Sequence, residues 1–249
     1  VRLTVLGSCG AFPEPGRACS GFAVEESGYR LALDLGYGTL PRLLDLWPAG
    51  PDAVVITHEH PDHCADLHGL FRMRHYGRQG RLPLYCPPGV LDRLQGLEPD
   101  VSLHEVFDVF ALPGEWTVGP FRLSGIDLPH FVPNAGVRLE ATKVLAYTGD
   151  TGPAEALAEL GQDADLFIVE ATDRPGDTSG LLMTSAAAGS WARQAGARRL
   201  MLTHFWPGND RFAAVAAARA EFSGEIFAAS EGDVHTFGAA MLVNRHDKG

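Results

Sequence analysis

One heptapeptide limits what this chain can be more than any other stretch: Thr57-His58-Glu59-His60-Pro61-Asp62-His63. It follows Ala53-Val54-Val55-Ile56-Thr57, a run of β-branched and apolar residues that reads as a buried strand over 53–57. The pattern H-x-H-x-D-H sets three imidazoles and one carboxylate within six residues. Imidazole nitrogen and carboxylate oxygen are ligands that zinc accepts. A turn after a strand lets these side chains converge, and Pro61 stiffens that turn. The ligands can be divided between two metals. The plain alternative is a solvated His-rich turn.

The rest of the chain alternates short apolar runs with Ala- and Leu-rich windows. Strands are expected at 1–6, 20–25, 29–34, 82–86, 121–127, 137–140, 143–148, 165–170 and 199–203, with short strands from 225 onward. Helices are expected at 39–46, 65–76, 153–160, 184–195 and 210–221, the fourth capped by Thr184 or Ser185. Strand–helix alternation appears once in each half, with no repeat or linker between. That predicts a layered α/β fold with mixed sheets, in one domain over residues 1–249.

Composition narrows the function. Twenty Lys and Arg against 31 Asp and Glu give a net charge of −11, which disfavours a broad nucleic-acid surface. No apolar run reaches the roughly 18 residues that would span a membrane, and the first residues read as a strand rather than a signal peptide. Cys9, Cys19, Cys64 and Cys86 form no C-x-x-C pair, which points to reduced thiols and a cytoplasmic setting. Cys64 follows His63 and reads as a small buried thiol rather than a ligand.

Further along stand His130 in Leu128-Pro129-His130-Phe131-Val132-Pro133, Asp150 in Tyr147-Thr148-Gly149-Asp150-Thr151, and His204 in Leu202-Thr203-His204-Phe205. Leu6-Gly7-Ser8-Cys9-Gly10 and Asp34-Leu35-Gly36 lie near the start. Together with the heptapeptide, these motifs resemble those of the metallo-β-lactamase-fold superfamily over nearly the whole chain. The resemblance implies an αββα sandwich of two mixed β-sheets flanked by helices. It also implies two metals, one held by His58, His60 and His130, the second by Asp62, His63 and His204, with Asp150 bridging. His104 rivals His130 but lacks the family's surroundings, His68 and His75 fall on the following helix, and His235 and His246 carry no assignment.

Two metals roughly 3.5–4 Å apart can hold a hydroxide near neutral pH and stabilise a leaving oxyanion, so hydrolysis is the implied reaction, with Asp62 as the catalytic carboxylate. Two zinc ions are the expected cofactors from ligand type, with Mn2+ or Fe2+ as substitutes. His60 stands where the flavodiiron branch has Glu, which disfavours iron redox chemistry. Within the superfamily the chain looks most like the ribonuclease Z-like and small-phosphodiesterase branch, whose late Glu-Ala-Thr is matched by Glu170-Ala171-Thr172. Two departures weaken transfer-RNA processing. Leu182 stands where that branch has a His assisting at the scissile phosphate, and residues 151–183 leave no room for its RNA-gripping arm. A small phosphodiester such as a cyclic nucleotide is therefore preferred. The alternatives are an ester, thioester or lactone substrate, or metal binding without turnover.

Several side chains have two readings. Asp34 either supports a ligating His by a hydrogen bond or caps a turn. Glu170 faces the site edge or is structural, and Glu59 points away from the ligands. The stretch Arg72, Arg74, His75, Arg78, Arg81 is either a phosphate-binding face, with Arg72 and Arg74 contacting substrate, or a solvated helix surface. The loop Asp173–Gly180 covers the pocket or merely connects. A homodimer would fit the resemblance.

Overall fold

The computed structural model describes residues Val1–Gly238. Expectations that fall beyond, including the end of the tail and His246, lie outside the described residues. The first half runs β1 (Arg2–Gly7), β2 (Gly21–Glu26), β3 (Tyr29–Leu35), α1 (Thr39–Leu46), β4 (Ala53–Val55), α2 (Pro61–Tyr76), β5 (Leu82–Cys86), α3 (Val90–Gln95) and β6 (Phe107–Ala111). The second runs β7 (Gly114–Val118), β8 (Phe121–Leu128), β9 (Asn134–Glu140), β10 (Val144–Tyr147), α4 (Ala156–Leu160), β11 (Leu166–Glu170), α5 (Ser185–Gln194), β12 (Arg199–Thr203), α6 (Arg211–Arg219) and β13 (Glu225–Ala228). β14 (Val234–Thr236) then returns to the first half.

These strands form two seven-stranded sheets, ordered β14-β1-β2-β3-β4-β5-β6 and β13-β12-β11-β10-β9-β8-β7. Each sheet is mixed. β1 to β3 pair antiparallel and β3 to β6 parallel, while β7 to β10 pair antiparallel and β10 to β13 parallel.

The two-residue period of a strand explains the layering. Along β3, Leu31 and Leu33 enter the core between the sheets, while Ala32 faces the core beneath α1, α2 and α3; the left-handed backbone of Asp34 then breaks the alternation, so that Leu35 joins Ala32. Along β11, Leu166 and Ile168 face the opposite sheet, while Phe167 and Val169 pack toward the helices of the second half. Three apolar cores separate four layers, giving the αββα sandwich. Every strand buried on both faces must be apolar throughout, which is why 53–57 and 165–170 are so conspicuous in the sequence.

The boundaries differ from expectation in instructive places. α2 begins at Pro61 rather than at residue 65, with His60 as its N-cap. Proline is pre-set for a helix's first position, so Pro61 starts the helix rather than stiffening a turn. Asp62 and His63 therefore sit on a helical first turn and His58 and His60 on the preceding loop. α3, β6 and β7 were not anticipated. No helix among the described residues is long and apolar enough to cross a membrane. Cys9, Cys19, Cys64 and Cys86 are free and buried.

Candidate metal centre

The parallel strands of both sheets deliver their carboxyl ends to one edge of the sandwich, where open α/β sheets commonly bind ligands. β4 leads to His58, His60 and α2, β10 to Asp150, β11 to Glu170 and Thr172, and β12 to His204; β8 leads to His130. The structure gathers these side chains into two adjoining groups. One contains His58, His60, His130 and Asp150, the other Asp62, His63, Asp150 and His204, and the ligand atoms within each lie within 4.8 Å of one another. Asp150 belongs to both, so the arrangement is a binuclear metal-binding site.

The geometry suits metal ions. His58 Nε2 and His130 Nε2 each lie 3.1 Å from His60 Nδ1. Tetrahedral ligands at 2.0–2.1 Å from zinc stand about 3.3 Å apart, close to that spacing. His130 Nδ1 donates to the Leu181 carbonyl at 3.2 Å, which leaves Nε2 as the lone-pair nitrogen. His58 Nδ1 is likewise engaged by Thr57 Oγ1 at 3.1 Å. In the second group, His63 Nε2 and Asp150 Oδ1 are buried without a hydrogen-bond partner although only 3.1 Å apart. Buried polar atoms normally find partners, and a cation between them supplies one.

A shell of hydrogen bonds fixes the rings. Asp34, fully buried, accepts from His63 Nδ1 at 2.8 Å, Thr57 N at 2.7 Å, Thr57 Oγ1 at 2.9 Å and the Tyr147 hydroxyl at 2.9 Å. On the other side, His204 Nδ1 donates to Thr172 Oγ1 at 2.8 Å, and that hydroxyl donates to Glu170, which also accepts from Thr151 N. Asp62 Oδ2 accepts from Ala11 N at 2.7 Å. Asp34 and His204 both hold left-handed backbone, φ 56° and 54°, a strain that these contacts sustain.

Two glycines are explained by close approach. A Cβ on Gly10 would meet the His204 ring at 2.6 Å, and one on Gly36 would meet the Asp62 carbonyl oxygen at 1.9 Å. The early Leu6–Gly10 and Asp34–Gly36 motifs are thus the walls against which two ligand-type residues rest.

Electrostatics follow from this crowding. Burial and neighbouring His63 hold His58 well below the usual imidazole range, which favours the neutral form a metal needs. Burial opposes a charge on His63, but Asp150, Asp34 and Asp62 outweigh it and raise that imidazole. Asp62 and Asp150 are held low against burial by His63 and His204, so both remain anionic. Burial and the Asp150 charge push Glu170 up to about 8.

The remaining sequence candidates fall elsewhere. Neither Arg72 nor Arg74 lines the cleft, a correction to their reading as substrate contacts. At 1.5 Å per residue, Arg72 lies about 15 Å along α2 from Asp62. Arg72 pairs with Glu98, which also takes His68, and Arg74 is buried with its guanidinium on the Gly80 carbonyl at 2.5 Å. Glu59 pairs with Arg93 at 2.5 Å, and burial raises the Cys64 thiol to about 12. His104 is exposed, and His235 meets the Phe227 ring edge to face with centroids 4.6 Å apart.

A cleft of about 220 Å³ opens over His60, Asp62, His130, Asp150 and His204. Its upper walls are Phe131, Arg174, Leu182 and Trp206, with Ala11 and Thr172 below. Arg174 lies over the Trp206 ring at 4.9 Å. Sequence reasoning marked the 173–180 loop but not Arg174 within it, and it missed Thr172, Tyr147, Phe131 and Trp206 as individual contributors. All but Trp206 sit within quoted motifs, which was the available signal.

Residues 38–205 match the β-lactamase superfamily domain. An uncharacterized protein of Mycobacterium tuberculosis is 34% identical, covering 92% of this chain and 89% of its own. The probable metallo-hydrolase YhfI of Bacillus subtilis is 30% identical, covering 94% and 99%. The crystal structure of YhfI superposes with a TM-score of 0.85, at 29% identity over 94% of this chain and 99% of that one. A ribonuclease Z of Haloferax volcanii is 30% identical over 93% of each chain. A diphosphatase of the PhnP family shares the fold at a TM-score of 0.76 and 18% identity, covering 95% and 98%. The chain belongs to the metallo-β-lactamase superfamily of metal-dependent hydrolases, with a ribonuclease Z and a probable metallo-hydrolase among its relatives.

Proposed function

We propose that the chain hydrolyses a small phosphodiester at a site holding two zinc ions, with manganese or iron as substitutes. Arg174 carries this reading. It is the one cationic side chain outside the ligand groups on the cleft wall, and among the described residues its guanidinium has no carboxylate partner. A guanidinium is permanently charged and matches the two free oxygens of a phosphodiester through paired hydrogen bonds. A neutral ester or lactone offers it no such partner. The stack on Trp206 holds its plane, and Asn209 Nδ2 pins the preceding segment through the Thr172 carbonyl at 2.9 Å.

Size supports a small substrate. The cleft falls below the roughly 300–1,000 Å³ of pockets that enclose drug-sized ligands. Between Asp150 and α5 the chain is taken up by α4, β11 and one loop, and the net charge is −11, both of which count against a long RNA. Relatives named as a ribonuclease and a diphosphatase point to chemistry at phosphorus.

When bound, the metal pair supplies a nucleophile from water near neutral pH and polarises the phosphoryl oxygen. The residues of the chain do the rest. Arg174 orients the phosphodiester. Asp62, fixed by the Ala11 N–H, holds a proton of the attacking water. Glu170–Thr172 and Asp34 keep His204 and His63 from turning. Leu182 offers the leaving oxygen no proton from its wall.

The test is hydrolysis of bis(p-nitrophenyl) phosphate by zinc- and manganese-loaded protein. Turnover is expected, with a loss of several orders of magnitude in Asp62→Ala while circular dichroism is unchanged. Equal turnover in a folded Asp62→Ala, or silence with both metals bound, would remove the reading.

A further inference from the structure

Phe131 is 53% exposed, yet it stands on the cleft wall immediately after His130. Its ring meets the His130 imidazole edge to face, centroids 5.2 Å apart and planes at 74°. That contact fixes the ring without covering it. An isolated exposed Phe needs no explanation by itself. This one shares a cleft with Leu182, with Trp206 and with the guanidinium of Arg174, so a planar apolar surface and an anion-binding group face one small space.

From this juxtaposition we infer that Phe131 is a stacking platform for a nucleobase, and that the substrate is a nucleoside-type phosphodiester whose phosphate meets Arg174. The inference rests on the phosphodiester reading above and on the cyclic-nucleotide preference drawn from the sequence, and it adds the residue that reads the base. The polar centre of the cleft takes the phosphate, and the ring beside it takes the π-face, which every nucleobase presents. Trp206 is not equivalent, because Arg174 already lies over its ring. Phe131 is thus the specificity residue, touching substrate away from the reacting atoms.

The test compares adenosine 5′-monophosphate with ribose 5-phosphate, which differ by the base alone, as ligands of the metal-loaded protein in titration calorimetry. Wild type is expected to bind the nucleotide on the order of ten- to a hundredfold more tightly. Phe131→Ala should erase that difference and leave ribose 5-phosphate binding unchanged, while Phe131→Trp should keep it. Equal Kd values for the two ligands in wild type would overturn the inference, as would an equal weakening of both in Phe131→Ala. A difference that disappears in Phe131→Trp would do the same. Failure of the phosphodiester reading looks different: the base-dependent difference persists while no phosphodiester is turned over.

Discussion

Asp34 Oδ2 lies 2.8 Å from His63 Nδ1, at the end of a buried strand where Asp34 itself holds a left-handed backbone. The carboxylate gathers four donors from three residues, Thr57 after β4, His63 on α2 and Tyr147 on β10 of the opposite sheet, so it fixes the orientation of His63 relative to β4 and β10. Asn tolerates the left-handed region nearly as well as Asp, so Asp34→Asn isolates the chemistry from the backbone. The amide must turn a donor toward at least one existing donor. Loss of such a partner typically costs 10–100-fold in metal affinity or activity. We expect about that loss in chelator-competition titrations, with the secondary structure kept. Tyr147→Phe removes one donor of four and should cost less. An Asp34→Asn protein that holds both metals as wild type does would show that His63 is oriented by packing alone.

Arg174 and Arg72 provide a matched contrast, since sequence favoured the second and the structure places the first on the cleft. Arg174→Ala should lower kcat/KM for a phosphodiester by about ten- to a hundredfold, the range for losing a hydrogen bond to a charged group. Most of the change should be in KM if the contact is made equally in ground and transition states. Arg72→Ala breaks a half-exposed pair with Glu98 and should leave kinetics unchanged. A KM that rises in Arg72→Ala and not in Arg174→Ala would reverse the assignment.

The contrast also shows what the sequence can carry. His58 to His63 are legible because rare, chemically specific side chains are compressed into a few positions after an apolar strand. The same holds for β3, β4 and β11, buried on both faces. α3 has six residues, under two helical turns, and β6 and β7 are short edge strands, of which β6 leaves apolar Val109 and Ala111 exposed and β7 turns Glu115 and Thr117 outward, so neither shows a clean apolar pattern. Charge has no direction in a sequence. Arg72 and Arg74 look suggestive by their distance from the motif along the chain, but the axis of α2 carries them away from it. Arg174 is remote in sequence from the heptapeptide and arrives only through the pairing of β11 with β10 and β12. Thr172 and Tyr147 act through hydrogen bonds that no local pattern encodes.

Gly10 predicts a steric effect on one imidazole. Its missing Cβ leaves room for His204, whose ring carbon would stand 2.6 Å from a methyl group at that site. Gly10→Ala must displace the ring or the loop that carries Ala11, and Ala11 N is the donor to Asp62. Both effects fall on the group formed by Asp62, His63, Asp150 and His204. We expect metal analysis to show one ion retained and one weakened, with turnover lost in proportion to the second. Gly16→Ala is the control, with nothing within 4 Å of its Cβ position; its φ of 76° means only backbone strain is added. Full occupancy of two metals in Gly10→Ala would mean that the His204 ring moves without cost.

Asp165 gives a pH prediction clear of the metal centre. It precedes β11 and accepts from Val144 N at 3.0 Å, Arg198 Nη1 at 2.9 Å and Lys143 Nζ at 3.3 Å, so it ties β10 to the start of β11. Burial alone would raise its pKa, but the Val144 N–H and the Lys143 and Arg198 charges outweigh burial and hold it below the ordinary carboxylate value. A depressed folded pKa means that the unfolded chain takes up the proton first as pH falls. The stabilisation is therefore complete above the unfolded value of about 3.9 and is lost as pH falls through the lower folded value. Wild type and Asp165→Asn should differ in urea midpoint by a constant amount above about pH 5, and the two should converge below about pH 4. High salt should narrow the gap through Lys143 and Arg198, while the part owed to the Val144 N–H persists. A difference that grows as pH falls would mean the folded state, not the unfolded one, binds the extra proton.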